Sequence, residues 1–249
     1  MKNSLKSTII LLTALICASS SFLLAAPEKG SHAETNKRTI WSFTPDAELP
    51  NVLILGDSIS IGYTLQVRKL LKGKANVYRP MDANGTRPLN CSGSIFGLNL
   101  CAQTLKAHKW DIIHFNWGLH DLKHVKKAGT NNNSNNPNDP RQCSPKNYEI
   151  NMRKIVKELI KTEAKLIFAT TTPVVPETIN PLRTPESPIE YNAIAIKIME
   201  ENKIRINDLY AYSLPNLKEW QLPKNVHFKR KGSQALAKQV ASVISDELK

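Results

Sequence analysis

The stretch NVLILGDSISIG, residues 51–62, decides the fold that we expect for this chain. Residues 52–55 are apolar without polar alternation, which is typical of a strand buried in a parallel sheet. Gly56 ends this run, and a helical pattern begins after Asp57 and Ser58. Ser58 therefore follows a strand and precedes a helix, where open α/β sheets place their ligands. The helix N-terminus would favour negative charge developing beside the hydroxyl, although serine here is also an ordinary helix cap.

The rest of the chain alternates the same two patterns. Further strands are predicted at 75–79, 110–117, 165–171 and 204–207, and helices at 95–108, 151–162, 189–202 and about 231–247. Strands that alternate with helices predict an α/β fold, a parallel sheet covered by helices on both faces in a three-layer sandwich. Residues 49–249 are enough for one such domain, and the polar residues 27–48 predict a linker before it.

The first 26 residues have the pattern of a secretory signal peptide. Lys2 and Lys6 give a basic start, residues 9–16 are apolar, and small residues lead to Ala25 and Ala26. The apolar stretch is short for a membrane span, and an uncleaved N-terminal anchor is the alternative. We therefore expect a secreted or periplasmic protein without a stable membrane span after cleavage.

The chain is strongly basic, with a formal net charge of +13. On an exported protein this charge could favour an acidic polysaccharide or an anionic surface, and a solvated basic surface without a specific partner is the alternative. No nucleic-acid motif accompanies the charge, and export argues against that partner. The cysteines show no metal-ligand spacing, so we expect neither a metal nor a cofactor.

Three cysteines, Cys91, Cys101 and Cys143, follow the predicted signal peptide. Export permits disulfides, and three thiols leave one unpaired whichever pair forms. A bond between Cys91 and Cys143 is slightly favoured, because both lie in predicted loops.

Residues 126–147 are rich in asparagine and contain three prolines, at positions 137, 140 and 145. This composition predicts a mobile surface insert near the rim of the site.

Three separated segments carry side chains suited to catalysis: GDS at 56–58, GLHD at 118–121 and VHF at 226–228. The first two follow strands and would share one sheet edge, and a loop before the last helix can return there. Together they would supply a nucleophile, hydrogen-bond donors and a base. Taken alone, a histidine such as His227 is more often structural.

Together these segments resemble the SGNH/GDSL hydrolase family of serine esterases, over about residues 51–247. GDSIS matches the family's first block with Ser58 as nucleophile, and VHFKRKGSQALA matches the last block with His227 as general base. GLHD stands where the family has Gly-x-Asn-Asp. NCSG at 90–93 is the expected glycine block, with residues 84–85 as the alternative. The resemblance implies a flavodoxin-like sandwich and an oxyanion hole formed by the backbone N–H groups of Ser58 and Gly93.

Two positions depart from the family's pattern. His120 replaces the asparagine of the oxyanion hole, but an imidazole N–H can also donate; Asn116 is an alternative donor that otherwise packs in the sheet. Lys224 stands where the family has an aspartate, and lysine cannot accept the imidazole N–H. Asn225 is the candidate orienter of His227, since its amide oxygen can accept a hydrogen bond, although it carries no charge.

Neighbouring residues have simpler interpretations. Asp121 is expected to orient its loop by accepting backbone N–H bonds, and His114 to lie in the core. Trp117 fits either a wall for a sugar ring or core packing. Lys123 and the following His124 are expected to be solvated.

The sequence favours a secreted serine esterase that hydrolyses carboxylic esters, with O-acetyl groups on carbohydrates as the preferred class. That preference follows from the substrates that are common in the family and from the predicted export. The alternative is a non-catalytic glycan-binding module that keeps the SGNH fold. Lys224 and His120 favour the module, whereas Ser58 and His227 favour the enzyme.

Overall fold

The computed structural model describes residues 39–176 and 179–249. The predicted signal peptide at 1–26 and most of the predicted linker at 27–48 lie outside these ranges. No helix in the described part of the chain is long and apolar enough to span a membrane.

The described residues form one parallel sheet whose strand order is β2-β1-β3-β4-β5. The strands are β1 (Asn51–Leu55), β2 (Asn76–Tyr78), β3 (Ile112–Phe115), β4 (Lys165–Ala169) and β5 (Arg205–Asn207). This order is that of flavodoxin-like doubly wound sheets, in which the chain reverses direction beside β1 and ligands bind beyond the carboxyl ends of the strands. The predicted sheet is confirmed.

Helices cover both faces of the sheet. They are α1 (Ser58–Leu70), α2 (Ser94–Thr104), α3 (Pro145–Ile160), α4 (Glu186–Glu201), α5 (Leu209–Ser213), α6 (Leu217–Trp220) and α7 (Arg230–Glu247), with a 3-10 turn at Leu214–Asn216. Helices α1 and α7 pack together on one face, and α2, α3 and α4 pack on the other. The predicted three-layer sandwich is therefore confirmed.

The apolar run of β1 is explained by burial on both faces. Leu53 and Leu55 belong to the core beneath α2, α3 and α4, whereas Val52 and Ile54 belong to the core beneath α1 and α7. Successive side chains of a strand point to opposite faces, so a central strand needs apolar residues at every position.

Residues 126–144 differ from the loosely attached insert that their composition predicts. The backbone N–H of Ser134 donates to the carbonyl of His124, and its own carbonyl accepts from Leu182, each at 3.0 Å. The side-chain oxygen of Asn131 accepts from Gln142 Nε2 at 2.7 Å. Hydrogen bonds, rather than apolar burial, attach this stretch, so the physical reason given for a mobile insert does not hold.

The end of that stretch is also earlier than predicted. Helix α3 begins at Pro145, because Ser144 caps it by accepting the N–H of Asn147 at 3.3 Å and proline suits the first helical position. The predicted helix at 151–162 therefore misses the first six residues of α3.

The slightly favoured disulfide between Cys91 and Cys143 is not formed. Within the described ranges, Cys91, Cys101 and Cys143 are buried free thiols. The sulfur of Cys91 accepts the backbone N–H of Gly56 at 3.2 Å, while that of Cys143 lies 3.5 Å from Asn151 Nδ2. Each sulfur thus packs with its own neighbours.

Candidate active site

Ser58 is the first residue of α1, directly beyond the end of β1. The helix is capped by Asp57, whose carboxylate accepts the N–H of Ile59 at 2.9 Å. Ser58 is therefore not the cap, and its hydroxyl is available for another partner.

That partner is His227, in the loop between α6 and α7. Its Nε2 lies 2.8 Å from Ser58 Oγ, although the two residues are separated by 169 positions in the chain. The loop is held by the buried side chain of Gln221, whose Nε2 donates to the carbonyls of Val226 and Pro173 at 3.0 Å each. The structure thus brings together the two residues that the sequence predicts as nucleophile and base.

The other ring nitrogen of His227 contacts Asn225. The Asn225 side-chain oxygen lies 2.7 Å from His227 Nδ1 and 3.0 Å from the backbone nitrogen of the same histidine. Because a backbone N–H can only donate, the atom facing it is the amide oxygen, which in turn accepts from Nδ1. In the neutral ring Nε2 is then free to accept the Ser58 proton. Lys224 is exposed and has a positive φ of 51°.

The backbone N–H groups of Ser58 and Gly93 are the oxyanion donors that the sequence predicts. In the described ranges, neither Ser58 N nor Gly93 N donates to another protein atom. Gly93 precedes α2, and a Cβ there would lie 2.9 Å from Gln142 Oε1 and 3.2 Å from Asp121 Oδ1. A side chain at this position would crowd Asp121 and Gln142.

His120 lines the same cleft as Ser58 and His227. Burial lowers the pKa of the imidazole to about 4, with the positive charges of Lys123 and Arg183 adding to the effect and Asp57 opposing it. His120 is therefore neutral at pH 7 and carries one N–H. Its Nδ1 lies 3.5 Å from Ser92 Oγ, so a tautomer protonated at Nε2 leaves that N–H free for a ligand.

Asp121 connects the 118–121 turn to the start of α2. Its carboxylate accepts the backbone N–H of Ser94 at 2.8 and 3.0 Å and the Ser94 hydroxyl at 2.6 Å. Burial raises the pKa of Asp121 to about 7, against the lowering effect of these hydrogen bonds. Asp121 thus accepts a backbone N–H, as predicted, and these bonds link its turn to α2.

Three other residues lie outside the site. Asn116 Nδ2 donates to the Ala169 carbonyl at 2.7 Å and lies 3.2 Å from Thr171 Oγ1, so it packs in the sheet. Trp117 is buried and packs against Gly97, where a Cβ would lie 2.6 Å from the indole. His114 is a core residue, as predicted. Asn116 is thus not an oxyanion donor, and Trp117 is not a wall for a sugar.

Comparison with protein-family models and with curated proteins finds no match. Solved structures do match. An acetyl xylan esterase aligns with a TM-score of 0.60 at 17% identity, over 78% of this chain and 99% of that one. The lipase/acylhydrolase from Enterococcus faecalis aligns with a TM-score of 0.62 at 17% identity, over 80% and 97%. A GDSL-like lipase from Bacteroides thetaiotaomicron aligns with a TM-score of 0.55 at 13% identity, over 79% and 88%. The chain has the SGNH-hydrolase fold.

In this SGNH-hydrolase fold, the sequence-predicted residues meet at one open cleft of about 310 Å³. Ser58, His120, Asn225 and His227 all line it, whereas Gly93 is not among the lining residues and packs close to Asp121. The alternative glycine, Gly85, lies in a separate turn whose N–H donates to Asp82.

Part of the cleft wall is formed by residues that no sequence pattern indicated. Asn90, Asn133, Lys123, Arg183 and residues 179–181 also line it. Lys123 was expected to be solvated, yet only 4% of it is exposed. A proline-rich loop before α4 carries Arg183, and nothing in its composition indicated that it returns to the site. Only the tertiary fold reveals these contacts.

Proposed function

We propose that this protein hydrolyses carboxylic esters, with Ser58 as nucleophile and His227 as general base. The observation that carries the proposal is the 2.8 Å contact between Ser58 Oγ and His227 Nε2 beyond the carboxyl end of β1. The structural likeness to esterases and acylhydrolases supports the same reaction class. Positioned serine and histidine side chains are what acyl transfer requires.

The reaction would proceed in two halves. Ser58 Oγ attacks the ester carbonyl carbon while His227 Nε2 takes the hydroxyl proton. The tetrahedral intermediate collapses, and the same proton passes to the leaving alcohol. Water then attacks the acyl-enzyme, giving its proton to His227, and the carboxylic acid leaves as Ser58 regains a proton.

Negative charge on the carbonyl oxygen would be stabilised by the N–H groups of Ser58 and Gly93 and by the ring N–H of His120. Donors of this kind are already oriented when charge develops, and removal of one typically lowers turnover by about 10²–10³. Because His120 is neutral at pH 7, it acts as a hydrogen-bond donor and not as a charge.

Asn225 would hold the tautomer of His227 without adding a charge. In serine proteases, exchange of the aspartate that orients the catalytic histidine for its amide lowers turnover by roughly 10⁴, because the histidine then holds the wrong tautomer. Here the Asn225 amide oxygen faces Nδ1 at 2.7 Å, which keeps the productive one. We therefore expect an active enzyme whose imidazolium lacks electrostatic support.

O-acetyl groups on carbohydrates are the substrate class that we favour. Asn90, Asn133 and Asn180 line the cleft and offer hydrogen-bond partners for hydroxyl groups. One structural neighbour is an acetyl xylan esterase. The predicted signal peptide agrees with action on polysaccharide outside the cytoplasm, as a secreted or periplasmic protein.

The test is turnover of 4-nitrophenyl acetate together with labelling by a fluorophosphonate probe. Wild type should hydrolyse the ester, and peptide mass spectrometry should locate the probe on Ser58. Ser58→Ala should lose both, whereas Ser242→Ala, which removes an exposed hydroxyl from α7, should retain both. A folded wild type that is neither labelled nor active on a broad ester panel would contradict the proposal and favour a non-catalytic glycan-binding module.

A further inference from the structure

Two cationic side chains line the cleft beside the candidate catalytic pair. They are Lys123, which follows the 118–121 turn, and Arg183, in the loop before α4. Only 4% of Lys123 and 7% of Arg183 is exposed. Buried cations are normally paired with an anion, because removing a charge from water is costly.

Neither cation has an anionic partner in the described ranges. No carboxylate there lies within 4.0 Å of either charged group. Lys123 Nζ donates to the side-chain oxygen of Asn131 at 3.1 Å, and Arg183 donates to the carbonyls of Leu119 and Pro181 at 2.8 and 3.3 Å. All three acceptors are neutral. An ammonium has three N–H donors and a guanidinium five, so each keeps donors for a ligand.

The nearest carboxylates are committed to other contacts. Asp57 caps α1, and Asp121 is bound to Ser94. Burial, followed by the charge of Arg183, lowers the pKa of Lys123, and the charge of Asp121 opposes both effects. Burial lowers the pKa of Arg183 to about 10, against the opposing charge of Asp57. Both cations line the same cleft, and the positive charge of Arg183 disfavours that of Lys123. An anion between them would relieve both that repulsion and the cost of burial.

We propose that Lys123 and Arg183 bind an anionic group of the substrate, so that the preferred ester carries a carboxylate or a similar anion near the scissile bond. This inference rests on the proposed ester hydrolysis and narrows its substrate class. For a carbohydrate ester, it selects acidic sugars such as uronic acids over neutral ones. The basic charge of the whole chain, +13, would attract such a polymer in addition.

A structural role for Arg183 must be separated from a role in binding. Its contact with the Leu119 carbonyl also holds the turn that carries His120, so its removal can lower all activity. Lys123 gives the cleaner test, because its side-chain contact is with Asn131 on the loop surface. The measured quantity is therefore the ratio of the kcat/KM values of two esters on the same protein. A loss of activity that affects both esters equally does not change this ratio.

Two matched pairs of esters locate the charge. Monoacetylated methyl glucuronoside and methyl glucoside differ by an anion on the alcohol side. Mono-4-nitrophenyl glutarate and 4-nitrophenyl valerate differ by an anion on the acyl side. At low salt, wild type should prefer the anionic member of at least one pair by tenfold or more. Added sodium chloride should reduce that preference, because it screens charge.

Variants then show which residues cause the preference for the anionic ester. Lys123→Met and Arg183→Gln should each lower the ratio severalfold toward one, and Lys123→Arg should restore most of it. Lys126→Met removes the same charge from an exposed position three residues away and should keep the wild-type ratio. Thermal melting verifies that each variant is folded.

The two possible failures are distinguishable. If neutral esters are hydrolysed but the ratio is near one, or if Lys126→Met changes it as much as Lys123→Met, the anion site is wrong and the esterase stands. If no ester of either pair is hydrolysed by folded wild type, the proposed function and the inference both fail.

Discussion

The amide oxygen of Asn225 lies 2.7 Å from Nδ1 of His227, where a charged carboxylate would give the imidazolium its strongest support. The same oxygen accepts the backbone N–H of His227 at 3.0 Å, so one short turn fixes both the ring and the loop. Removal of the side chain and addition of a charge should therefore have opposite effects on turnover. The two variants below separate orientation from electrostatics.

Asn225→Ala should lower kcat for an acetyl ester by tenfold or more, because Nδ1 loses its acceptor and the ring loses its orientation. Asn225→Asp should raise kcat above wild type, because a carboxylate stabilises the imidazolium that forms during attack. Lys224→Asp is the matched control: it places the same charge at the family's usual position, but Nδ1 is already occupied by Asn225. Equal turnover in all four proteins would show that Asn225 does not act through His227.

His120 should contribute to the transition state rather than to substrate binding. His120→Ala is expected to lower kcat by roughly 10²–10³ with a smaller change in KM. His120→Asn should recover part of the loss, since an amide N–H can donate from a similar position. Because burial holds the pKa of His120 at about 4, its protonation should not affect the rate above about pH 5. Full turnover in both variants would place His120 outside the oxyanion hole.

Asp121 should make stability depend on pH. Burial raises its pKa from 3.8 to about 7, so between these values the folded state holds a proton that the unfolded state has released. The contribution of this group to the free energy of unfolding is therefore full below about pH 4 and falls as pH rises toward 7.

Asp121→Asn removes this titration. The free energy of unfolding of wild type minus that of the variant should decrease between pH 5 and pH 8, on the order of 2 kcal/mol. Urea unfolding at both pH values measures it, and the other titrating groups, His120 among them, largely cancel in the difference. A difference that does not change with pH would show that Asp121 is ionised in the folded state throughout.

Much of the fold could be predicted because each strand carries its own signal. A central parallel strand is apolar at every position, and β1 and β3 were found within two residues of their ends for that reason. Helices α5 and α6 have five and four residues, too few to show a helical period. The start of α3 at Pro145 was not predicted, because it follows directly on a polar stretch without a helical period.

The site was predictable only where it is made by residues near strand ends or before the last helix. Ser58, His120 and His227 have such positions. The burial of Lys123 and Arg183 depends on two loops meeting across the cleft, and no local pattern reports that contact. The same limit applies to residues 126–144, whose backbone hydrogen bonds, including the one from Leu182 to Ser134, no local pattern reports.

The three buried thiols should react slowly with alkylating reagents, in addition to being unpaired. Burial raises the pKa of Cys91 and Cys143 to about 11 and that of Cys101 to about 12, so few thiolates form near pH 8. Brief alkylation of the native protein without reductant should leave all three unmodified, and alkylation in 6 M guanidinium should modify all three. Peptide mass spectrometry reads both results. A Cys91–Cys143 disulfide peptide from the unreduced protein would contradict the free thiols.

Ser134 should contribute to the thermal stability of the protein, although the composition of residues 126–144 predicts a loosely attached stretch. It is buried, its hydroxyl donates to the Asp139 carboxylate and accepts the N–H of Asn136, and Ser134→Ala removes both hydrogen bonds. Loss of such a contact costs about 1–3 kcal/mol, which lowers the Tm of a domain of this size by roughly 2–4 °C per kcal/mol. Asn135→Ala, at an exposed neighbouring position, should leave the Tm within about 1 °C of wild type, since exposed substitutions are near neutral. Differential scanning calorimetry of the two variants makes the comparison. A Ser134→Ala protein with the same Tm as wild type would support the prediction of a loosely attached insert.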